Sequence, residues 1–355
     1  MEREITELLE SGLFSVYTAA SSAIFYKGNL VYHVRVGKPN PDREPERNIG
    51  DDSLYDIASL TKIFVTTALL SLFYKKGFSI DIPVSSIIPE FTGKRPVSST
   101  DKLFDIGKIT FRHLLTHSAG LPSWKPFYKK MKGEEIKRAV LSTELSYIPG
   151  EMIVYSDLGY MIIGWALERI TGKSLRDVVR ETVIDPIGLQ NTDYGPIDRE
   201  RCIATEFCPW RKRRLCGEVH DENAFALGGV AGHAGIFSTA FDVAKLGLMW
   251  LEGISGISHF GLPRRVFVDA VMPQKEFQNQ RRGLGWALWT QGSPARFFGK
   301  NTFGHLGFTG TSLFVDPDRE LVVSLLTNRV YYGRNPASIL LFRIKFHRKV
   351  AELYP

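Results

Sequence analysis

Hydrophobic and polar positions fall into distinct patterns along the chain. Residues 1 to 11 read as a short amphipathic helix. From Phe14 to Tyr26, and again from Leu30 to Val36, apolar residues alternate with polar ones around the turn Lys27-Gly28-Asn29, which predicts a β-hairpin. Gly37 to Asp52 is polar, carries Pro39, Pro41 and Pro45, and predicts a surface loop. The polar entry Asp56-Ile57-Ala58-Ser59-Leu60-Thr61-Lys62 then leads into Ile63-Phe64-Val65-Thr66-Thr67-Ala68-Leu69-Leu70, a run long enough for a buried helix that Gly77 ends.

The middle of the chain has another texture. Asp81 to Phe91 is irregular, with Pro83 and Pro89, and Thr110 caps a short predicted helix reaching His117 that Ser118-Ala119-Gly120-Leu121-Pro122 stops. Gly133 to Leu141 and Leu158 to Thr171 are further predicted helices, the second ending at Gly172. Strand signal returns near the C-terminus, where Thr311 to Val315 and Leu321 to Leu326 flank the turn Asp316-Pro317-Asp318-Arg319-Glu320, and Ile339 to Leu353 reads as an amphipathic helix. The pattern predicts an α/β (α+β) chain. Residues 1–74 and 221–355 would together build a sheet domain from both chain ends, and 75–220 a mainly helical insertion.

With 355 residues, 44% hydrophobic and 23% charged, the composition is that of a soluble globular protein of one large or two modest domains. No apolar run approaches bilayer length, and the acidic N-terminus is not a secretory signal. The chain as written reads as cytoplasmic, or extracytoplasmic if a leader was removed. A net charge of +7 directs attention to Arg211-Lys212-Arg213-Arg214. Arg201 lies nearby and Arg281-Arg282 further on; aromatic residues are not interleaved and no nucleic-acid motif occurs, so a solvated loop is expected and no nucleic-acid partner, with a basic rim for an anionic substrate as the other option. Cys202, Cys208 and Cys216 fit no zinc spacing and read as free thiols, which implies no metal and no cofactor. His220-Asp221-Glu222-Asn223 and the glycine run from Gly228 to Gly235 read as loop pins, with pocket lining or metal binding as the other option.

Three clusters carry candidate chemistry. A helix starting at Ser59 would put that hydroxyl at the positive end of the dipole, with Lys62 one turn on and within reach of it. Serine needs a neighbour to take its proton, and a buried lysine of lowered pKa would serve. The bland option is an N-cap serine beside a snorkelling lysine. Ser99-Thr100-Asp101-Lys102 has the same spacing in a polar loop with no apolar run behind it, and reads as chance. Tyr155-Ser156-Asp157 precedes a helix; Tyr155 suits a proton shuttle, and Asp157 either a cap or a partner for the lysine. Gly304-His305-Leu306-Gly307-Phe308-Thr309-Gly310-Thr311-Ser312 enters a strand, where Gly307 predicts close approach by another backbone or a ligand.

Ser59-x-x-Lys62, Tyr155-Ser156-Asp157 and His305-Leu306-Gly307, in that order, resemble the serine β-lactamase and penicillin-binding protein family, in the branch of class C β-lactamases, DD-peptidases and esterases. Leu114 to Pro122 and Gly235 to Ala244 are similar to segments of that branch. The resemblance implies an antiparallel sheet flanked by helices, with the active site in the cleft beside the helical part. It also implies a serine hydrolase in which Ser59 attacks a carbonyl, Lys62 and Tyr155 share the base role, and the backbone N–H groups of Ser59 and Phe308 form the oxyanion hole. Asp157, His305 and Gly307 would contact a small ester, a β-lactam or a peptidoglycan-like peptide. The chain departs from the family at Asp157, where Asn is usual, and at His305-Leu306, where Lys-Thr is usual. Asp157 should raise the lysine pKa, while a largely neutral His305 should favour esters or other amides over β-lactams and give anionic substrates a gain in acid. A penicillin sensor with little turnover is the alternative. An α/β-hydrolase lacks its Gly-x-Ser-x-Gly elbow here, and a metallohydrolase its His-Glu-x-x-His.

Overall fold

The computed structural model describes residues 2–43, 48–257 and 261–355. Met1 of the predicted N-terminal helix and residues 44–47 of the predicted loop lie outside them. The largest sheet has eight strands: β1 (Ala19–Tyr26), β2 (Asn29–Gly37), β3 (Lys275–Phe277), β4 (Gln280–Arg282), β5 (Ala287–Leu288), β6 (Phe303–Leu306), β7 (Ser312–Asp316) and β8 (Leu321–Thr327). Their spatial order is β3-β4-β5-β6-β7-β8-β1-β2, and every neighbouring pair is antiparallel. Strand β8 therefore lies beside β1, with Ala23 opposite Ser324, and the two ends of the chain meet in one layer.

The helices that position the site are α1 (Glu2–Glu10), α2 (Thr61–Lys76), α3 (Asp157–Thr171), α4 (Ala240–Ser255) and α5 (Ala337–Leu353). Alternation along β1 feeds two cores. Ala19, Ala23 and Phe25 join the core that holds α2, α3 and α4, while Ala20 and Ile24 face the residues of α1 and α5. Helix α2 is buried on every side from Thr61 to Ser71, as an apolar run without a polar face requires. Two of its hydroxyls are paired inside: Trp250 Nε1 donates to Thr67 Oγ1 at 3.1 Å, and Thr66 and Tyr160 share a 2.9 Å hydrogen bond. Gly77, at φ 68°, ends it.

Several expectations need correction. Phe14 to Thr18 is not strand, because Phe14 turns at φ 59° and its N–H donates to the Tyr17 carbonyl at 2.7 Å. The Ser59 region is a 3-10 turn, Ala58–Leu60, with α2 starting only at Thr61. The middle segment also holds strands of two or three residues, Lys94–Pro96 with Leu103–Asp105 and Phe207–Cys208 with Arg213–Arg214, too short for a period of two to register. The basic run is only in part a solvated loop, since Lys212 and Arg213 are exposed while Arg211 and Arg214 are drawn into the fold. The Arg211 side chain is buried and donates to the carbonyls of Val219 and His220, Arg213 pairs with Glu218 at 2.7 Å, and Arg214 pairs with Asp42 at 2.5 Å over the Tyr331 ring. Much of the positive charge is thus used within the fold. Among the described residues no helix is long and apolar enough to cross a membrane.

Candidate active site

The site is built around a strained turn. Ala58 adopts φ 47°, a left-handed conformation that costs a residue with a Cβ on the order of 1–2 kcal/mol. The Asp56 carboxylate holds it by accepting from Ala58 N at 2.8 Å and His220 N at 2.6 Å. From the other side, the Thr309 and Thr311 hydroxyls donate to the carbonyls of Asp56 (2.7 Å) and Ile57 (3.0 Å). A Cβ at Gly307 would meet the Ile57 carbonyl oxygen at 2.6 Å, so glycine is what lets the end of β6 lie against the serine turn. Among the described residues the Ser59 and Phe308 backbone N–H groups donate to no protein acceptor, leaving two donors free beside the hydroxyl.

Lys62 is fully buried, at 0% exposure. Its ammonium donates to Ser59 Oγ at 2.9 Å and to the His233 carbonyl at 3.1 Å, and lies 2.7 Å from Asp157 Oδ1 in a close ion pair whose angle is not that of a hydrogen bond. Burial pulls the amine pKa down, but Asp157 and Tyr155 push it up further, and the net shift is upward. The expectation of a lysine lowered by burial is therefore corrected, and the departure at Asp157 is the cause. Asp157 does not cap α3; the Ser156 hydroxyl does, accepting from Gly159 N. Tyr155 presents its ring 4.9 Å from the Lys62 ammonium. Its buried hydroxyl has no hydrogen bond of normal geometry, and burial raises its pKa against the lowering effect of Lys62.

His305 is buried, and its Nδ1–H donates to the Leu306 carbonyl at 3.0 Å, leaving Nε2 as an unpartnered acceptor. Burial, then Lys62 and Arg282, hold its pKa well below the ordinary histidine value. It stays neutral through the usual histidine range, so the expected gain of anionic substrates in acid is withdrawn. Ser59, Tyr155, Asp157, His305, Gly307 and Phe308 all line one cavity of about 710 Å³, with Lys62 beneath the serine.

Two further residues belong to this centre: His117, which has no sequence signal of its own, and Arg282, read from sequence only as part of a basic pair. His117, at φ 56°, accepts from Ser156 N at 3.0 Å through Nδ1 and sets its ring 4.4 Å from that of Tyr155, which fixes the tyrosine turn. Arg282 lines the cavity with its guanidinium 5.6 Å from the Tyr155 ring centre, and has no ion-pair partner among the described residues. Cys202, Cys208 and Cys216 are buried thiols. Glu206, Cys208 and Glu222 bring ligand atoms within 4.8 Å of one another, but the Arg334 guanidinium already bridges both carboxylates at 2.5 Å each and occupies the cation's place.

The family profile described as Beta-lactamase matches residues 11–343. A putative D-alanyl-D-alanine carboxypeptidase of Salmonella agona (strain SL483) is 32% identical over 311 residues, covering 78% of this chain and 70% of that protein. EstCE1, a hydrolase with promiscuous acyltransferase activity, superposes with a TM-score of 0.76 at 20% identity over 96% of this chain and 98% of its own. The octameric penicillin-binding protein homologue from Pyrococcus abyssi gives a TM-score of 0.74 at 20% identity, over 99% of this chain and 77% of that one. A class C beta-lactamase gives 0.75 at 15% identity, over 97% and 96%. By the extent of the profile match and of the carboxypeptidase alignment, the chain belongs to the beta-lactamase family.

Proposed function

We propose that this serine hydrolase forms an acyl-enzyme on Ser59 and cleaves amides or esters whose leaving group carries a free carboxylate, a peptide ending in a D-amino acid being the natural class. The observation that carries the reading is the 2.9 Å contact of Lys62 Nζ with Ser59 Oγ in a cavity where two backbone N–H groups are unused. Ser59 Oγ attacks the carbonyl, its proton passes to the Tyr155–Lys62 pair, and the oxyanion rests on the N–H groups of Ser59 and Phe308. Collapse expels the amine or alcohol, which takes that proton, and water then releases the acyl group along the same path. Arg282 supplies a cation for the carboxylate, which neither neutral His305 nor Leu306 can provide. In this reading the cleft separates the sheet layer, 1–74 with 221–355, from the mainly helical 75–220, which contributes Tyr155 and Asp157. No cofactor is required. The carboxypeptidase name of the Salmonella relative supports the peptide class.

A second reading, a penicillin-binding protein that acylates with little turnover, is favoured by the raised pKa of Lys62, since a lysine held as ammonium is a poor base for deacylation. Intact-mass spectrometry after incubation with a D-Ala-D-Ala peptide, an aryl ester and a penicillin separates the two. Turnover of peptide or ester with a transient adduct on wild type and none on Ser59→Ala is expected. A persistent penicillin adduct without peptide turnover favours the second reading, and equal activity of Ser59→Ala overturns both.

A further inference from the structure

Arg329, just beyond β8, and Arg343, on α5, are 5% and 4% exposed, and both line the cavity beside Gly307 and Phe308. Arg329 Nε donates to the Phe308 carbonyl at 2.8 Å, and its guanidinium lies 4.4 Å from the Phe308 ring centre. Arg343 Nη2 donates to the carbonyls of Gly307 (2.9 Å) and Thr311 (2.6 Å). Two guanidiniums thus grip consecutive carbonyls of the corner between β6 and β7. Carbonyls satisfy donors but do not neutralise charge, and Arg329 Nη1 and Arg343 Nε are buried with no partner at all.

No acid among the described residues touches them, although the Glu206 carboxylate is near enough to favour the charge of Arg329. Among the described residues neither arginine forms an ion pair, because Glu206 and Glu222 are taken by Arg334, and Asp221 by His233 at 2.9 Å. Burial lowers both guanidiniums, Arg329 to about 10 and Arg343, which also feels Arg329, to about 9. Both remain charged at neutral pH. Two neighbouring cations taken out of water with no carboxylate in contact, and only the more distant Glu206 to offset Arg329, are costly, and an anion is the ligand that relieves the cost.

We propose that Arg329 and Arg343 form an anion subsite in the cavity wall that takes a carboxylate or a small inorganic oxyanion, and whose occupancy firms the corner carrying the Phe308 N–H. The site is distinct from Arg282, and its occupant is either a second carboxylate of the substrate or a free anion. Binding does not depend on acyl transfer, so it is measured on Ser59→Ala as well as on wild type.

Thermal unfolding and isothermal calorimetry with sodium acetate and sodium phosphate test the binding. Arg329→Gln and Arg343→Gln are run in parallel, to subtract salt effects common to all the proteins. The expected result is a saturable rise in Tm of about 3 °C and a saturable heat in wild type and Ser59→Ala, both reduced by half or more in the variants. If the glutamine variants do not fold, Arg329→Lys, which keeps the charge but loses the fork, is expected to weaken the binding heat instead. No saturable response in wild type, or equal responses in folded variants, overturns the subsite. Kinetics identify the source. Acetate that raises KM only for an aryl hemisuccinate marks a substrate carboxylate, and acetate that raises kcat for a neutral aryl acetate marks a free anion.

Discussion

Asp157 governs the protonation of the centre, because its carboxylate is what lifts the Lys62 pKa against burial. Removing that charge lets the lysine lose its proton more readily. Asp157→Asn is therefore expected to move the rising limb of the kcat/KM profile to lower pH by about 1 to 3 units; a profile that stays in place counts against the lysine as part of the base. His305 is held neutral, so wild-type profiles for anionic and neutral substrates should run parallel between about pH 5.5 and 7.5. Arg282→Gln should raise KM for a D-Ala-D-Ala peptide about 10- to 100-fold and leave a neutral aryl ester nearly unchanged, as steady-state kinetics will tell. The residues read from sequence share this centre because motif spacing records local geometry, as in Ser59 and Lys62. Arg329 and Arg343 are ordinary arginines in their own segments and Arg282 reads only as half of a basic pair, and it is the absence of an acid partner in three dimensions, among the described residues, that sets them apart.

At the scale of elements, the corner between β6 and β7 is where sequence and packing speak most directly to each other. Gly307 reads as a point of close approach, and the approaching backbone is that of Ile57. Gly307→Ala is expected to push this corner off the serine turn, with a loss of acylation rate greater than the loss of stability, the latter about 1–3 kcal/mol; burst kinetics and denaturant unfolding separate the two. The long periodic segments, β1 with β2 and helices α2, α3 and α5, were legible to within a few residues. Phe14 to Thr18 was not, since a turn through a positive φ at a phenylalanine leaves no mark in the alternation. The basic run misled for a related reason. Charge in sequence says nothing of the carbonyls, carboxylates and rings that the fold brings to Arg211 and Arg214.

The whole molecule is tied at Asn328, whose side chain accepts from Thr18 N and Ala19 N at 3.0 Å each and donates to Thr18 Oγ1 (2.7 Å) and the Ala204 carbonyl (2.8 Å). One amide thus joins the first strand, the last strand and the middle of the chain. Asn328→Ala would leave several buried groups unpaired and is expected to cost about 3 kcal/mol or more, measured by denaturant unfolding. The same long-range closure has a temporal side. Ser22 hydrogen-bonds the Ser324 carbonyl across 302 positions of sequence, so a ribosome working at about 5–20 residues per second leaves the β1–β2 hairpin without that neighbour for roughly 15–60 s. Throughout that interval a hairpin that has formed exposes the edge of β1 as an open template for strands of other chains.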